Sequence, residues 1–154
     1  MSARQSSELP VEQRIGHHLK RAEQALMARK SRALRAVDLT VPQYNALLVL
    51  ADHPGLSGAQ LARRCYVTPQ TMASLLANLE SKSLVTRTAS TVHSQVMQTA
   101  LTRHGRALLR KADRLAVAIE AGLADAYSPD DRDALVRLLE HAAAVLAERD
   151  APAL

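Results

Sequence analysis

The chain contains no phenylalanine and no tryptophan, and only three tyrosines. Any core it builds is therefore filled by aliphatic side chains, and no Phe or Trp is there to close gaps between its helices. Cys65 is the single cysteine, so no internal disulfide can form, which agrees with a reducing compartment. No stretch approaches the ~20 consecutive apolar residues of a membrane-spanning helix, and MSARQSSELP lacks the apolar run of a secretory signal. A cytoplasmic location with no membrane partner is the expectation. Acidic residues are missing from the middle of the chain. Between His53 and Lys111 stand Arg63, Arg64, Lys82, Arg87, Arg103, Arg106, Arg110 and Lys111 against Glu80 alone, a local balance of +7 beside flanks that total −2.

What is present fits one globular domain, 1–154, long enough at 154 residues and 47% hydrophobic to bury a core. A basic run is often only a solvated face. A basic centre between near-neutral flanks also fits a polyanion docking on one part of the fold. Catalysis is not expected. The six histidines, His17, His18, His53, His93, His104 and His141, are scattered, no Gly-rich phosphate loop is visible, and Cys65 has no acid or base partner in sequence. No cofactor and no metal site are expected either, since metal ligands would have to converge from separate helices.

Helical signals dominate the order of elements. Val11, Ile15, Leu19, Ala22 and Leu26 recur at helical spacing and predict a first helix from about Pro10 toward Ala36. TVPQYNALLVLA offers Thr40 as a cap, Gln43 three residues on and Pro42 in the first turn, and should stop near DHPG. Ser57 with Gln60 opens SGAQLARRC, and Thr68 with Pro69 opens the next helix, so two capped helices lie within a few residues of each other. That is the sequence form of a helix-turn-helix. LVTRT and VMQTAL then read as a two-stranded hairpin around ASTVHSQ. Thr102 caps a long helix with Leu108, Ala112, Leu115, Ile119 and Leu123 on one side, and Ser128 and Pro129 open a last helix striped by Leu135, Leu138, Leu139, Ala142 and Leu146. The fold class is mainly α with a small β-hairpin.

YVTPQTMASLLANLE carries the most informative face. Met72, Leu75, Leu76 and Leu79 follow the i, i+3, i+4, i+7 rule and face the core, which leaves Gln70, Ser74, Ala77 and Ser81 opposite, with Thr71 at the edge. Solvated helices favour Lys and Glu on such a face; short neutral groups let the backbone approach another surface. Gln can bond an adenine edge twice, Thr and Ser can bond either kind of base, and Ala can touch a thymine methyl. Gln70, Thr71, Ser74 and Ala77 are thus candidates for reading bases in double-stranded DNA. Arg63, Arg64, Thr68, Lys82, Arg87 and Arg103 are candidates for holding phosphates.

The run TVPQYNALLVLADHPGLSGAQLARRCYVTPQTMASLLANLESKSLVTR, followed by LTRHGRALL, resembles the multiple-antibiotic-resistance regulator (MarR) family of bacterial transcription factors. The similarity covers roughly 39–112 and rests on LAR, VTPQT, LE–LV and LT–G in this order. It implies a winged helix-turn-helix over 39–101 and a helical dimerisation region formed by 10–37 and 103–150. It also implies a homodimeric regulator, a repressor on an inverted-repeat operator, released by a small ligand. One departure is evident: where the family commonly places an Asp and a minor-groove Arg in the wing, this chain has His93 and Gln95.

Two further expectations follow. His17, His18 and Tyr44 are polar groups amid apolar helix faces, and with the resemblance they mark a pocket for a small aromatic or anionic effector. Cys65 reads either as a small buried residue in a turn or, if exposed beside Arg63 and Arg64, as a thiol of lowered pKa in a redox-sensing regulator; a metal-sensing regulator of the same fold is the other variant. A protein interaction module without DNA binding would use the amphipathic end helices but leaves the neutral face and the basic centre without a role.

Overall fold

The structure is a computed structural model that describes residues 9–91 and 96–149. Helix α1 spans Ile15–Leu34, α2 Val41–Asp52, α3 Gly58–Arg64, α4 Pro69–Ser81, α5 Arg103–Ala124 and α6 Pro129–Arg149. The strands are β1, Leu56–Ser57, β2, Val85–Ala89, and β3, Met97–Leu101. Two compact units divide the chain, one ending at Ala116 and the other beginning at Val117. Among the described residues, no helix is long and apolar enough to cross a membrane.

The first helix differs from expectation at both ends. Val11–Gln13 form a single 3-10 turn and Arg14 is extended, with its Nε donating to the Leu9 carbonyl at 2.8 Å, so the α-helix starts only at Ile15. At its end a 3-10 turn, Arg35–Val37, tightens the chain into Asp38, which takes φ +52. Aspartate tolerates this left-handed conformation better than most residues.

Serine and threonine start the other helices as their sequences require. Thr40 and Gln43 form a reciprocal capping box at α2, with bonds of 3.3 and 2.9 Å, and Ser57 and Gln60 repeat it at α3 with the same distances. Thr68 Oγ1 accepts the Thr71 N–H at 3.1 Å, Thr102 Oγ1 the Gly105 N–H at 2.9 Å, and Ser128 Oγ the Asp131 N–H at 3.2 Å. Each such cap contributes about 1 kcal/mol.

Leucine fills the core of the first unit. Leu34, Leu47, Leu50, Leu61, Met72, Leu76, Leu79, Leu84 and Val85 are fully buried, and Tyr44 is the one aromatic among the buried core residues. Its hydroxyl donates to Asp113 Oδ1 at 2.8 Å, which ties α2 to α5. On α5 the buried line is Gly105, Leu109, Ala112 and Ala116, with Leu108, Leu115 and Ile119 only half-buried beside it. The expected leucine stripe is offset because small residues permit closer packing: a Cβ on Gly105 would lie 2.0 Å from the Leu84 carbonyl oxygen. In the second unit, α6 has no buried residue among those described, and Leu138 and Leu146 are more than half exposed.

The sheet holds one strand more than the hairpin. β3 pairs antiparallel with β2 (Val85 opposite Leu101, Arg87 opposite Thr99, Ala89 opposite Met97) and, on its other edge, with β1 (Leu56 opposite Thr99). Gly55, at φ +86, turns the chain out of α2 and donates its N–H to the Thr99 carbonyl at 2.9 Å. Two residues are too few to show alternation, which is why β1 leaves no periodic signal.

Candidate nucleic-acid interface

Helices α3 and α4 are joined by Cys65, Tyr66, Val67 and Thr68. The turn is held by the Cys65 N–H on the Leu61 carbonyl (2.9 Å) and the Val67 N–H on the Ala62 carbonyl (3.1 Å), with Tyr66 at φ +56 between them. Leu61 and Ala62 of α3 and Met72, Leu76 and Leu79 of α4 are buried, so both helices are fixed from below while their outer faces stay free.

That outer face of α4 holds Gln70, Thr71, Ser74 and Ala77, all exposed. The Thr71 hydroxyl accepts from Thr68 at 2.9 Å and keeps its own proton to donate. Ser74 donates to the Gln70 carbonyl at 3.3 Å, a weak bond that rotation releases. The next exposed polar group, Asn78, is not free: the Gln43 amide donates to its Oδ1 at 2.6 Å. The α4 face is therefore neutral, short and hydrogen-bonding along about two turns, and is fixed at its far end from α2.

The candidate phosphate residues lie in different settings. Arg63, Arg64 and Arg103 are exposed. Arg64 Nη1 lies 3.2 Å from His53 Nε2. Lys82 is half-buried and committed, bonding the Asp38 carboxylate at 2.9 Å and its carbonyl at 2.8 Å. Arg87 points to the inner side of the hairpin, opposite Thr99; its Nε and the Thr99 hydroxyl are both buried and, among the described residues, without a partner. His93 and Gln95 fall outside the described residues.

The other expected site residues lie in different settings. Tyr44 is buried with its bond to Asp113, His17 is half-buried, and the exposed His18 meets the Glu12 carbonyl through Nε2 at 2.8 Å. Two clefts lie elsewhere. One of about 460 Å³ is lined by Leu56, Gln60, Arg63, Arg64 and Tyr66. Another of about 280 Å³ runs past Leu48, Asp52, His53, Arg64 and Tyr66. Cys65 is half-buried, and burial pushes its thiol up rather than down, while Arg64 is turned to His53. Among the described residues, no three of His, Cys, Asp or Glu come together as a metal ion would need.

The partners that hold these residues are distant in sequence. Gln43 is legible as a cap, but its second role on Asn78 spans 35 residues and leaves no local signal. The Asp38–Lys82 pair likewise spans 44 residues. Nothing in the sequence reveals that Tyr66 is left-handed, because glycine or asparagine is the usual mark of that conformation.

A family model described as the MarR family matches residues 37–95. The HTH-type transcriptional repressor Rv2887 of Mycobacterium tuberculosis is 38% identical over 127 residues, 82% of this chain and 91% of that protein. The solved structure of the transcriptional repressor CouR bound to a 23-mer DNA duplex has a TM-score of 0.81 at 30% identity, covering 89% of this chain and 99% of that one. The structure of Rv2887 in complex with p-aminosalicylic acid has a TM-score of 0.68 at 34% identity and covers 84% of this chain and 98% of that one. With the capped helix pair, the hairpin and this extent of identity, the chain belongs to the MarR family.

Proposed function

We propose that this protein is a DNA-binding transcriptional repressor that acts as a homodimer on an inverted-repeat operator and is released by a small aromatic carboxylate. The observation that carries the reading is the exposed face of α4, where Gln70, Thr71, Ser74 and Ala77 offer hydrogen bonds and a methyl group without any charge. The repressors it resembles, one in complex with DNA and one with p-aminosalicylic acid, support both halves of the reading.

Residues 39–101 form the DNA-binding region in this scheme, and 10–37 with 103–150 the dimerisation region. Arg63, Arg64, Arg87 and Arg103 hold phosphates, Arg87 through its terminal guanidinium nitrogens because Nε is buried, and Thr68 joins them by turning its hydroxyl proton from Thr71 to a phosphate oxygen. Lys82 contributes least, being already paired with Asp38. His93 and Gln95 form the wing without its customary arginine. His17, His18 and Tyr44 contribute to an effector pocket completed by the second subunit. Such a ligand acts by preferring the subunit spacing that misplaces the two α4 helices, so its affinity differs between free and DNA-bound dimers. The protein works in the cytoplasm, and neither catalysis nor a metal or thiol switch has a part.

The test is selection of fragments from the source genome by the full-length protein, with and without salicylate. Recovery of an inverted repeat, bound more weakly in salicylate, is the expected result. Binding without sequence preference, or none at all, contradicts it.

A further inference from the structure

Tyr66 is 96% exposed, the most open of the large apolar side chains among the described residues, and stands at φ +56. The other described residues in the left-handed region are Asp38, Gly55 and Ser83, all small or of the type that tolerates it. A bulky aromatic there costs free energy that the fold does not recover, because the ring is not packed against the core. Strain of this kind is found where a side chain has work outside the fold.

The surroundings say what that work is. Tyr66 lies two residues before the Thr68 cap of α4 and shares one cleft with Gln60, Arg63 and Arg64. All four side chains are polar or cationic at their tips and exposed. Gln60 spends its Oε1 on the Ser57 N–H and keeps its amide donors for another partner. A helix of ~10–12 Å diameter fills a major groove of ~12 Å, so residues just ahead of its first turn meet the phosphate wall of the groove rather than the bases.

Resting on the DNA-binding reading above, we propose that Tyr66 docks on one strand of the DNA backbone at the entrance of α4, with its hydroxyl donating to a phosphate oxygen and its ring lying on the adjoining deoxyribose, while Gln60 and Arg63 hold the same strand. Tyr66 is thus a positioning residue that sets how deeply α4 enters the groove. Being neutral, it releases no counterion, and this separates it from the arginines around it.

The experiment measures affinity against salt concentration for the full-length wild type, Tyr66→Phe, Tyr66→Gly and Arg63→Ala, on a random-sequence duplex of about thirty base pairs, roughly three helical turns. Thermal melting is followed alongside. Tyr66→Gly should melt at or above the wild-type temperature, since glycine removes the strain, and should bind about tenfold more weakly with an unchanged salt slope. Tyr66→Phe, which keeps the ring, should lose about threefold, and Arg63→Ala should flatten the slope by about one counterion. Unchanged affinity in both Tyr66 variants, or a loss that comes with a flatter slope, overturns the proposal while leaving DNA binding intact. A wild type that fails to bind the duplex at low salt overturns the DNA-binding reading itself, and this proposal with it.

Discussion

Gln43 and Asn78, thirty-five residues apart, are joined by a hydrogen bond of 2.6 Å from the Gln43 amide to the Asn78 side-chain oxygen. The same Gln43 side chain accepts the Thr40 N–H at 2.9 Å, so one buried side chain both starts α2 and fixes the outer helix α4. Removing Asn78 strands a nearly buried amide, which costs about 1–3 kcal/mol. Asn78→Ala should therefore lower stability in urea and weaken operator binding more than random-DNA binding, since α4 loses its anchor. An equal loss on both DNAs would show that the bond stabilises the fold without orienting the reading face.

Gly105 sits where α5 crosses the start of β2, and a methyl group there would lie 2.0 Å from the Leu84 carbonyl oxygen. Backbone cannot yield as a flexible side chain does. Gly105→Ala should destabilise by about 3 kcal/mol, the upper range for overpacking, whereas Gly122→Ala, with nothing within 4 Å, should be neutral or slightly stabilising in the same denaturation series.

Asp38 holds Lys82 away from any other anion, at 2.9 Å. Lys82→Ala should then leave the salt dependence of DNA binding almost unchanged, and Asp38→Asn should steepen it by up to about one counterion as the ammonium is released. Titrating each variant on random DNA over a range of salt measures this directly; a Lys82→Ala slope reduced as far as that of Arg103→Ala would mean that the ion pair opens on DNA.

Leu138 and Leu146 are 61% and 63% exposed on α6, together with half-exposed Val136, and Ile15 is 72% exposed on α1. So much open aliphatic surface fits a subunit interface. Leu138→Glu should shift sedimentation from dimer to monomer at micromolar concentration and abolish operator binding while retaining helical circular dichroism. A wild-type monomer would remove the basis for an inverted-repeat operator with half-sites ~34–36 Å apart.

Local chemistry made most of the fold legible. The caps at Thr40, Ser57, Thr68, Thr102 and Ser128 are chosen by a few neighbouring residues, and so are the breaks at Pro54 and Gly55. The apolar line Met72, Leu76, Leu79 follows from helical period alone, which is why its opposite face was identifiable as well. What stayed hidden was set by contacts distant in sequence. Strand β1 exists only through β3, Lys82 loses its freedom to Asp38, and the α5 stripe shifts because Gly105 must clear Leu84. Cys65 was legible as a turn residue, but the direction of its thiol shift depended on burial that no neighbouring residue encodes.

In the proposed function, α4 reads bases through Gln70 while the arginines supply affinity without regard to sequence. The most direct measurement compares Gln70→Ala with wild type on the selected operator and on random DNA at one salt concentration. The predicted result is a loss of about 1–3 kcal/mol on the operator, the size of a bidentate contact to adenine, and almost none on random DNA. Equal losses on both would contradict it, because Gln70 would then be touching the backbone and the neutral face of α4 would not be the reading surface.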